Sequence, residues 1–174
     1  MKHARNEAMD RMNEAGDYRL HAQQAYATIT ADAYQRMIDS CVRALPNEAC
    51  GILASDAILP IGDSEQSASP ILTVTSVYPI PNRSRQPRSR FDFDPAAWIQ
   101  TCYRMQKNRQ SLVGYFHSHP SSLPLPSPSD LNGLHASSTT YWIISLLDPD
   151  MPRIQPYRVD GGTFIPLMLT QISI

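Results

Sequence analysis

The most constraining feature of this chain is an apolar run that ends in two histidines. Residues 111–117 read Ser-Leu-Val-Gly-Tyr-Phe-His, and Ser118-His119-Pro120 follows directly. A short apolar run bounded by turn residues predicts a buried strand. Side chains two positions apart on a strand share a face, so we expect His117 and His119 side by side at the end of this strand.

A carboxylate and a hydroxyl follow the two histidines. After the proline-rich loop 120–127, Pro128 predicts the start of a helix running to about residue 136, with Asp130 in its first turn and pointing back at the strand end. Ser127 directly precedes that proline. A His-x-His pair alone is a weak signal, but zinc favours imidazole and carboxylate ligands, and a catalytic site keeps a position for water. The combination predicts a zinc hydrolase centre.

A hydrolase of this kind also needs a base that accepts a proton from water. Glu48 is the best candidate, because it directly precedes the apolar run 49–54, where an unpaired carboxylate would otherwise be out of place. An exposed turn residue is the alternative interpretation of Glu48. Glu65 is a rival base, but it stands in a polar loop.

The remaining elements predict an α/β domain with a mixed sheet. Helical spacing of apolar residues predicts helices over 28–44, with Thr30 as a cap, and from the N-cap Asp94 to about Asn108. Apolar and β-branched runs predict strands over 49–54, 71–78, 111–117 and 141–147, a hairpin of 153–159 and 163–167, and a tail, 168–174, that can add an edge strand. Helices interspersed with strands are typical of this fold class.

Length and composition suit one cytoplasmic domain. Residues 1–24 have sparse apolar positions and are expected to be a flexible extension or a loosely attached helix, which leaves 25–174 as the folded domain. A formal net charge of -1 gives no basic field for nucleic acid, and no apolar stretch is long enough to cross a membrane. Three widely spaced cysteines predict free thiols in a reducing compartment.

An arginine-rich loop, residues 82–90, has two interpretations. It holds Arg83, Arg85, Arg88 and Arg90 between proline-punctuated segments. The simpler interpretation is a solvated connector, because loop charge usually serves solvation. The sharper one is a contact for an acidic or extended substrate.

Other enzymes with a His-x-His pair are excluded by what is missing. A metallo-β-lactamase-like site would continue with Asp-His where Pro120-Ser121 stands. Amidohydrolase barrels need about 250 residues, and zinc deaminases need His-x-Glu with Pro-Cys-x-x-Cys. This chain has 174 residues and neither deaminase pattern.

Three segments together resemble the JAMM (MPN-plus) zinc metalloprotease family. They are PNEACGIL at 46–53, GYFHSHP at 114–120 and SPSD at 127–130. They correspond to a distant glutamate, His-x-His-Pro and Ser-x-x-Asp, and the resemblance extends over about residues 28–170. It implies a mixed sheet flanked by helices, similar to cytidine deaminases.

The resemblance also implies a role for each matching residue. The positions of His117, His119 and Asp130 bind zinc in that family. The position of Glu48 is the general acid/base, and that of Ser127 helps to stabilise the oxyanion.

The implied activity is hydrolysis of a peptide or isopeptide bond at the C-terminal glycine end of a ubiquitin-like protein. The short chain is similar to the compact prokaryotic branch, whose members act on ubiquitin-like sulfur carriers. A non-catalytic MPN scaffold that binds a protein partner is the main alternative. A RadC-like protein and a cell-wall or phage-tail peptidase are further ones. The substrate, the leaving group and the oligomeric state stay open.

Overall fold

The structure is a computed structural model that describes residues 26–56, 73–132 and 139–173. Within these residues the chain forms nine strands and three helices. The strands are β1 (Tyr26–Thr30), β2 (Cys50–Asp56), β3 (Thr73–Val74), β4 (Ser76–Ile80), β5 (Gln110–His119), β6 (Thr140–Ser145), β7 (Arg153–Asp160), β8 (Thr163–Pro166) and β9 (Met168–Ile172). The helices are α1 (Ala31–Ala44), α2 (Pro95–Lys107) and α3 (Pro128–Asn132).

The larger sheet has six strands in the order β4-β2-β5-β6-β7-β8. Strands β5 and β6 are parallel, whereas the other neighbours in this sheet are antiparallel. The sheet is therefore mixed, and the predicted fold class is confirmed. Strand β5 runs to His119, two residues beyond the prediction, because Ser118 and His119 still pair with Ile144 and Ser145.

A second sheet of three strands, in the order β3-β1-β9, corrects the prediction at the start of the domain. Residues 28–30 were expected in a helix, but they belong to β1, which pairs in parallel with β9 and β3. Helix α1 begins only at Ala31, and the Thr30 hydroxyl accepts a hydrogen bond from the Ala33 amide at 3.3 Å. The expected cap is therefore present, after a strand whose partners lie far away in sequence. Strand β9 confirms the expected edge strand.

Two apolar clusters hold the layers together. The larger one packs α1 and the smaller sheet against the larger sheet, around side chains such as Met37, Phe116 and Trp142. Burying each of these contributes about 1.5–3 kcal/mol. The smaller cluster lies under α2 and includes Ile52 and Met105. Helix α2 follows its prediction closely, with the Asp94 carboxylate accepting from the Ala97 amide at 2.8 Å.

Further predictions concern the hairpin, the cysteines, membrane crossing and location. The predicted hairpin is confirmed as β7 and β8, joined through Gly161 and Gly162, both with positive φ. The three cysteines are free thiols, as predicted. No helix among the described residues is long and apolar enough to cross a membrane. The cytoplasmic location stays a prediction.

Some predictions fall outside the described residues. They concern the extension 1–24, the connection that holds Glu65, the first two residues of the predicted strand 71–78, the helix beyond Asn132, and Ile174.

Candidate metal centre

Two neighbouring positions on one face of β5 supply the imidazoles. The Nε2 atoms of His117 and His119 are 3.1 Å apart, and both side chains are buried. The Nδ1 atom of His119 is 2.9 Å from the Leu123 carbonyl oxygen. A carbonyl oxygen only accepts, so His119 carries its proton on Nδ1, and its Nε2 lone pair faces His117.

Asp130 supplies a carboxylate to the same point. One carboxylate oxygen of Asp130 lies 3.3 Å from His117 Nε2, and the other lies 3.8 Å from His119 Nε2. One ligand atom from each of the three residues falls within 4.8 Å of the others, which is compact enough for one metal ion. Burial acts to raise the pKa of Asp130, but hydrogen bonding to His117 and Ser127 outweighs it and lowers that pKa to about 2. The carboxylate is therefore ionised, as a metal ligand must be.

A capping box at the start of α3 holds Asp130 in this position. The Ser127 amide donates to the Asp130 carboxylate at 2.6 Å, and the Asp130 amide donates to the Ser127 hydroxyl at 3.4 Å. These are the reciprocal bonds of a serine N-cap and an acidic residue three positions later. The Ser-x-x-Asp spacing thus has a local structural cause. The Ser127 hydroxyl also lies 2.8 Å from that of Ser129.

The loop between β5 and α3 is fixed to the sheet. Besides the Leu123 contact, the Ser145 hydroxyl donates to the Ser122 carbonyl at 2.6 Å, and the Tyr157 hydroxyl donates to the Pro124 carbonyl at 2.7 Å. The carbonyl groups of residues 122–124 are therefore each hydrogen-bonded to a side chain on β5, β6 or β7. These bonds fix the path by which the chain returns to the metal ligands.

Glu48 lies at the junction between α1 and β2 and is 6% exposed. Burial raises the pKa of its carboxyl group from 4.5 to about 7, with His117 lowering it and Asp130 raising it by their charges. The carboxyl group therefore lies within the electrostatic field of the candidate metal ligands. A pKa near the working pH suits a group that first accepts and then returns a proton.

The residue between the two histidines joins the Glu48 segment to β5. The Ser118 hydroxyl accepts from the Ala49 amide at 2.8 Å, and the Ser118 amide donates to the Ala49 carbonyl at 2.9 Å. This pair of bonds links Glu48 to a strand about seventy residues later. Sequence reasoning missed this role, although a serine inside an apolar strand was a signal for it.

Two further residues of the site were not predicted. The Asn82 side-chain amide donates to the carbonyl oxygens of Glu48 and Arg90, both at 3.0 Å. The Phe91 ring stacks on His117 with centroids 4.7 Å apart and 26° between the planes. The sequence offered no signal for either contact, because both depend on how the arginine-rich loop folds back.

Glu48 is one of the residues that line an open cleft of about 400 Å³, whereas His117, His119 and Asp130 do not line it. Its walls are the end of α1, residues 47–50, residues 79–82 and Pro87. Glu48 is the one acidic group in this lining.

The fold and this site together define an α/β protein with a His/His/Asp group and a buried glutamate at the C-terminal end of an inner strand of a mixed sheet. Residues 30–159 match the family described as prokaryotic homologues of the JAB domain. Because the match covers most of the chain, the chain belongs to this family, and the resemblance to the JAMM pattern is confirmed.

Named relatives of the chain include a desampylase and a CysO-cysteine peptidase. The chain is 34% identical to a desampylase of Haloferax volcanii over 49% of its own length and 52% of that protein. It therefore spans about half the length of that relative. It is 26% identical to the CysO-cysteine peptidase of Mycobacterium tuberculosis, over 77% of this chain and 83% of that protein. A solved protein of Desulfitobacterium hafniense superposes with a TM-score of 0.71 at 29% identity, covering 85% of this chain and 94% of the other.

Proposed function

We propose that the chain is a zinc-dependent peptidase or isopeptidase that cleaves at the C-terminal glycine end of a ubiquitin-like or sulfur-carrier protein. One observation carries the proposal: a buried glutamate with a pKa near 7 lies in the field of a compact His/His/Asp group. The names of the relatives support the substrate class, since a desampylase and a CysO-cysteine peptidase are among them.

The donor set fits zinc. Tetrahedral zinc with bonds of 2.0–2.1 Å holds two nitrogen ligands roughly 3.3 Å apart, and the Nε2 atoms of His117 and His119 are 3.1 Å apart. Two imidazoles and one carboxylate also match the three-ligand sets of zinc hydrolases. When bound, zinc supplies Lewis acidity that activates water for attack on a carbonyl group.

Glu48 is the proposed general base and acid. Its carboxylate takes the proton of the attacking water and later gives a proton to the departing amine. Burial prepares it for both steps, because a pKa near 7 makes both protonation states accessible at neutral pH. Hydrogen bonds to Asn82 and Pro87 hold the Glu48 backbone in place.

Ser127 is the proposed oxyanion donor. Its oxygen accepts from the Asp130 amide, while its O–H is free to turn from Ser129 toward a developing negative charge. Removing a donor of this kind costs about 10²–10³-fold in kcat in other hydrolases. Ser127 would thus both cap α3 and stabilise the oxyanion.

The substrate class is tested by incubating the protein with ubiquitin-like carriers that bear C-terminal extensions and reading the intact mass. We expect cleavage after the terminal Gly-Gly, abolished by a chelator and restored by zinc. If every carrier stayed intact while zinc was bound, the substrate assignment would be wrong.

A further inference from the structure

The arginine-rich loop carries unneutralised positive charge beside the candidate active site. Arg83 is paired, with its Nε 2.6 Å from the Asp94 carboxylate. Arg85, Arg88 and Arg90 are exposed, and none of them has an ion pair within the described part of the chain. Three free guanidinium groups thus lie within six residues on a protein whose formal net charge is -1.

This loop is braced rather than loose. The Asn82 side chain uses all four of its hydrogen-bonding positions, because its oxygen also accepts from the Ser84 and Asp92 amides, at 2.9 and 3.1 Å. The amides of Ser89 and Arg90 donate to the Gln86 carbonyl, at 3.1 and 3.0 Å. A preformed loop loses little conformational entropy on binding, so its charges are available at low cost.

The same loop is continuous with the catalytic candidates. The Glu48 amide donates to the Pro87 carbonyl at 2.7 Å, Asn82 holds the Glu48 carbonyl, and Phe91 stacks on His117. Asn82 and Pro87 also line the cleft that Glu48 lines. The loop therefore directly adjoins the candidate base and one of the candidate metal ligands.

We infer that Arg85, Arg88 and Arg90 form a docking surface for an acidic segment of the protein substrate, upstream of its C-terminal glycine end. The substrate part of this inference rests on the proposed function. Guanidinium groups bind carboxylates through paired hydrogen bonds, so aspartate and glutamate side chains suit them best. The overall charge disfavours nucleic acid as the occupant, since nucleic-acid binding needs a wide basic field.

Fluorescence anisotropy with the full chain tests the surface directly. One short labelled peptide carries glutamates upstream of a Gly-Gly end, and a second carries glutamines in their place. Three surface ion pairs at low salt should favour the glutamate peptide about tenfold. The triple variant Arg85→Gln, Arg88→Gln, Arg90→Gln should lose that preference, and the triple lysine variant should keep most of it.

A matched control removes three positive charges elsewhere, by Arg36→Gln, Lys107→Gln and Arg109→Gln. All three side chains are exposed and lie outside the loop, so this variant should retain the preference. Equal binding of the glutamate peptide by the wild type and the glutamine variant of the loop would overturn the inference. The inference would also be overturned, in favour of nucleic acid, if an oligothymidylate bound more tightly than the glutamate peptide and lost this binding in the glutamine variant of the loop.

The same peptide separates this inference from the proposed function. A version of the peptide that carries further residues after Gly-Gly reports cleavage by its loss of mass. Arginine-dependent binding of the peptide, with every extended carrier left intact while zinc is bound, would leave the docking surface standing and remove the proposed function. Cleavage that is indifferent to both the glutamates and the arginines would do the reverse.

Discussion

At the level of single residues, Glu48 shows how burial prepares a carboxyl group for its proposed role as base and acid. Its carboxyl group titrates near pH 7 chiefly because the fold removes it from water. Asp130 is also largely buried, yet hydrogen bonds to the charged form outweigh burial and its pKa falls to about 2. The pKa values of these two carboxyl groups are thus shifted in opposite directions. The raised pKa of Glu48 suits a proton carrier, and the lowered pKa of Asp130 suits a metal ligand.

The Glu48 shift predicts a pH dependence of stability in the metal-free protein. The folded-state pKa is about 7 against an ordinary value of 4.5, so the folded state binds more protons between these values. Stability from this group is therefore fully present below pH 4.5 and falls as pH rises to about 7. We expect Glu48→Gln to remove this decline, measured by urea unfolding across the pH range.

The difference between wild type and variant isolates Glu48 from its neighbours. Burial and the charge of His117 lower the pKa of His119, which makes stability rise with pH below 6.5 in both proteins. The stability that the ionised Asp130 provides is lost only as pH falls from 3.8 to about 2. Parallel pH profiles for wild type and Glu48→Gln would contradict the buried, raised carboxyl group.

Asn82 is a second residue with a specific expectation. Asn82→Ala removes the hydrogen bonds that close the arginine-rich loop and hold the Glu48 carbonyl. We expect a loss of roughly 1–3 kcal/mol in the free energy of unfolding, because the carbonyl of the buried residue Glu48 loses this partner and three further bonds are lost. Ser84→Ala, which loses only the bond from the Gln86 amide, is the control. Equal stability of the two variants would show that Asn82 does not brace the loop.

At the scale of elements, the short helix α3 depends on its capping box. Ser127→Ala removes the hydroxyl that accepts from the Asp130 amide, but it keeps the backbone amide that donates to the Asp130 carboxylate. Losing this part of the support should weaken metal binding about tenfold, the low end of the range for contacts that position metal ligands. Ser127→Thr keeps the cap, and Ser129→Ala removes only the contact between the two hydroxyl groups. Competition against a chromogenic chelator measures the affinity. Equal affinity of Ser127→Ala and Ser129→Ala would contradict a positioning role.

Elements with local causes were predictable from the sequence, and those with distant partners were not. The N-caps Thr30 and Asp94 and the glycine turn at 161–162 act through residues next to them, so α1, α2 and the hairpin were expected. Strand β1 was missed because its partner β9 stands at the other end of the chain. The motif residues were found for the same local reason, whereas the contacts of Asn82 and Phe91 depend on tertiary folding.

At the scale of the whole molecule, the parallel pair β1 and β9 joins the two ends of the domain. Ile29 in β1 is fully buried in the main core, whereas Tyr26 in the same strand is 48% exposed. Ile29→Ala should therefore cost about 2–5 kcal/mol in the free energy of unfolding, and Tyr26→Ala much less. Chemical denaturation measures both. Equal losses would mean that β1 is not packed as the fold requires.

The proposed function requires the metal centre and Glu48 to act together as one hydrolytic site. The most direct measurement pairs zinc content with turnover of a Gly-Gly-extended carrier, for the wild type and for Glu48→Gln. We expect one zinc per chain in both proteins and a loss of turnover of at least about 10²-fold in the variant. Wild-type turnover in Glu48→Gln, or turnover by a wild type free of metal, would contradict it.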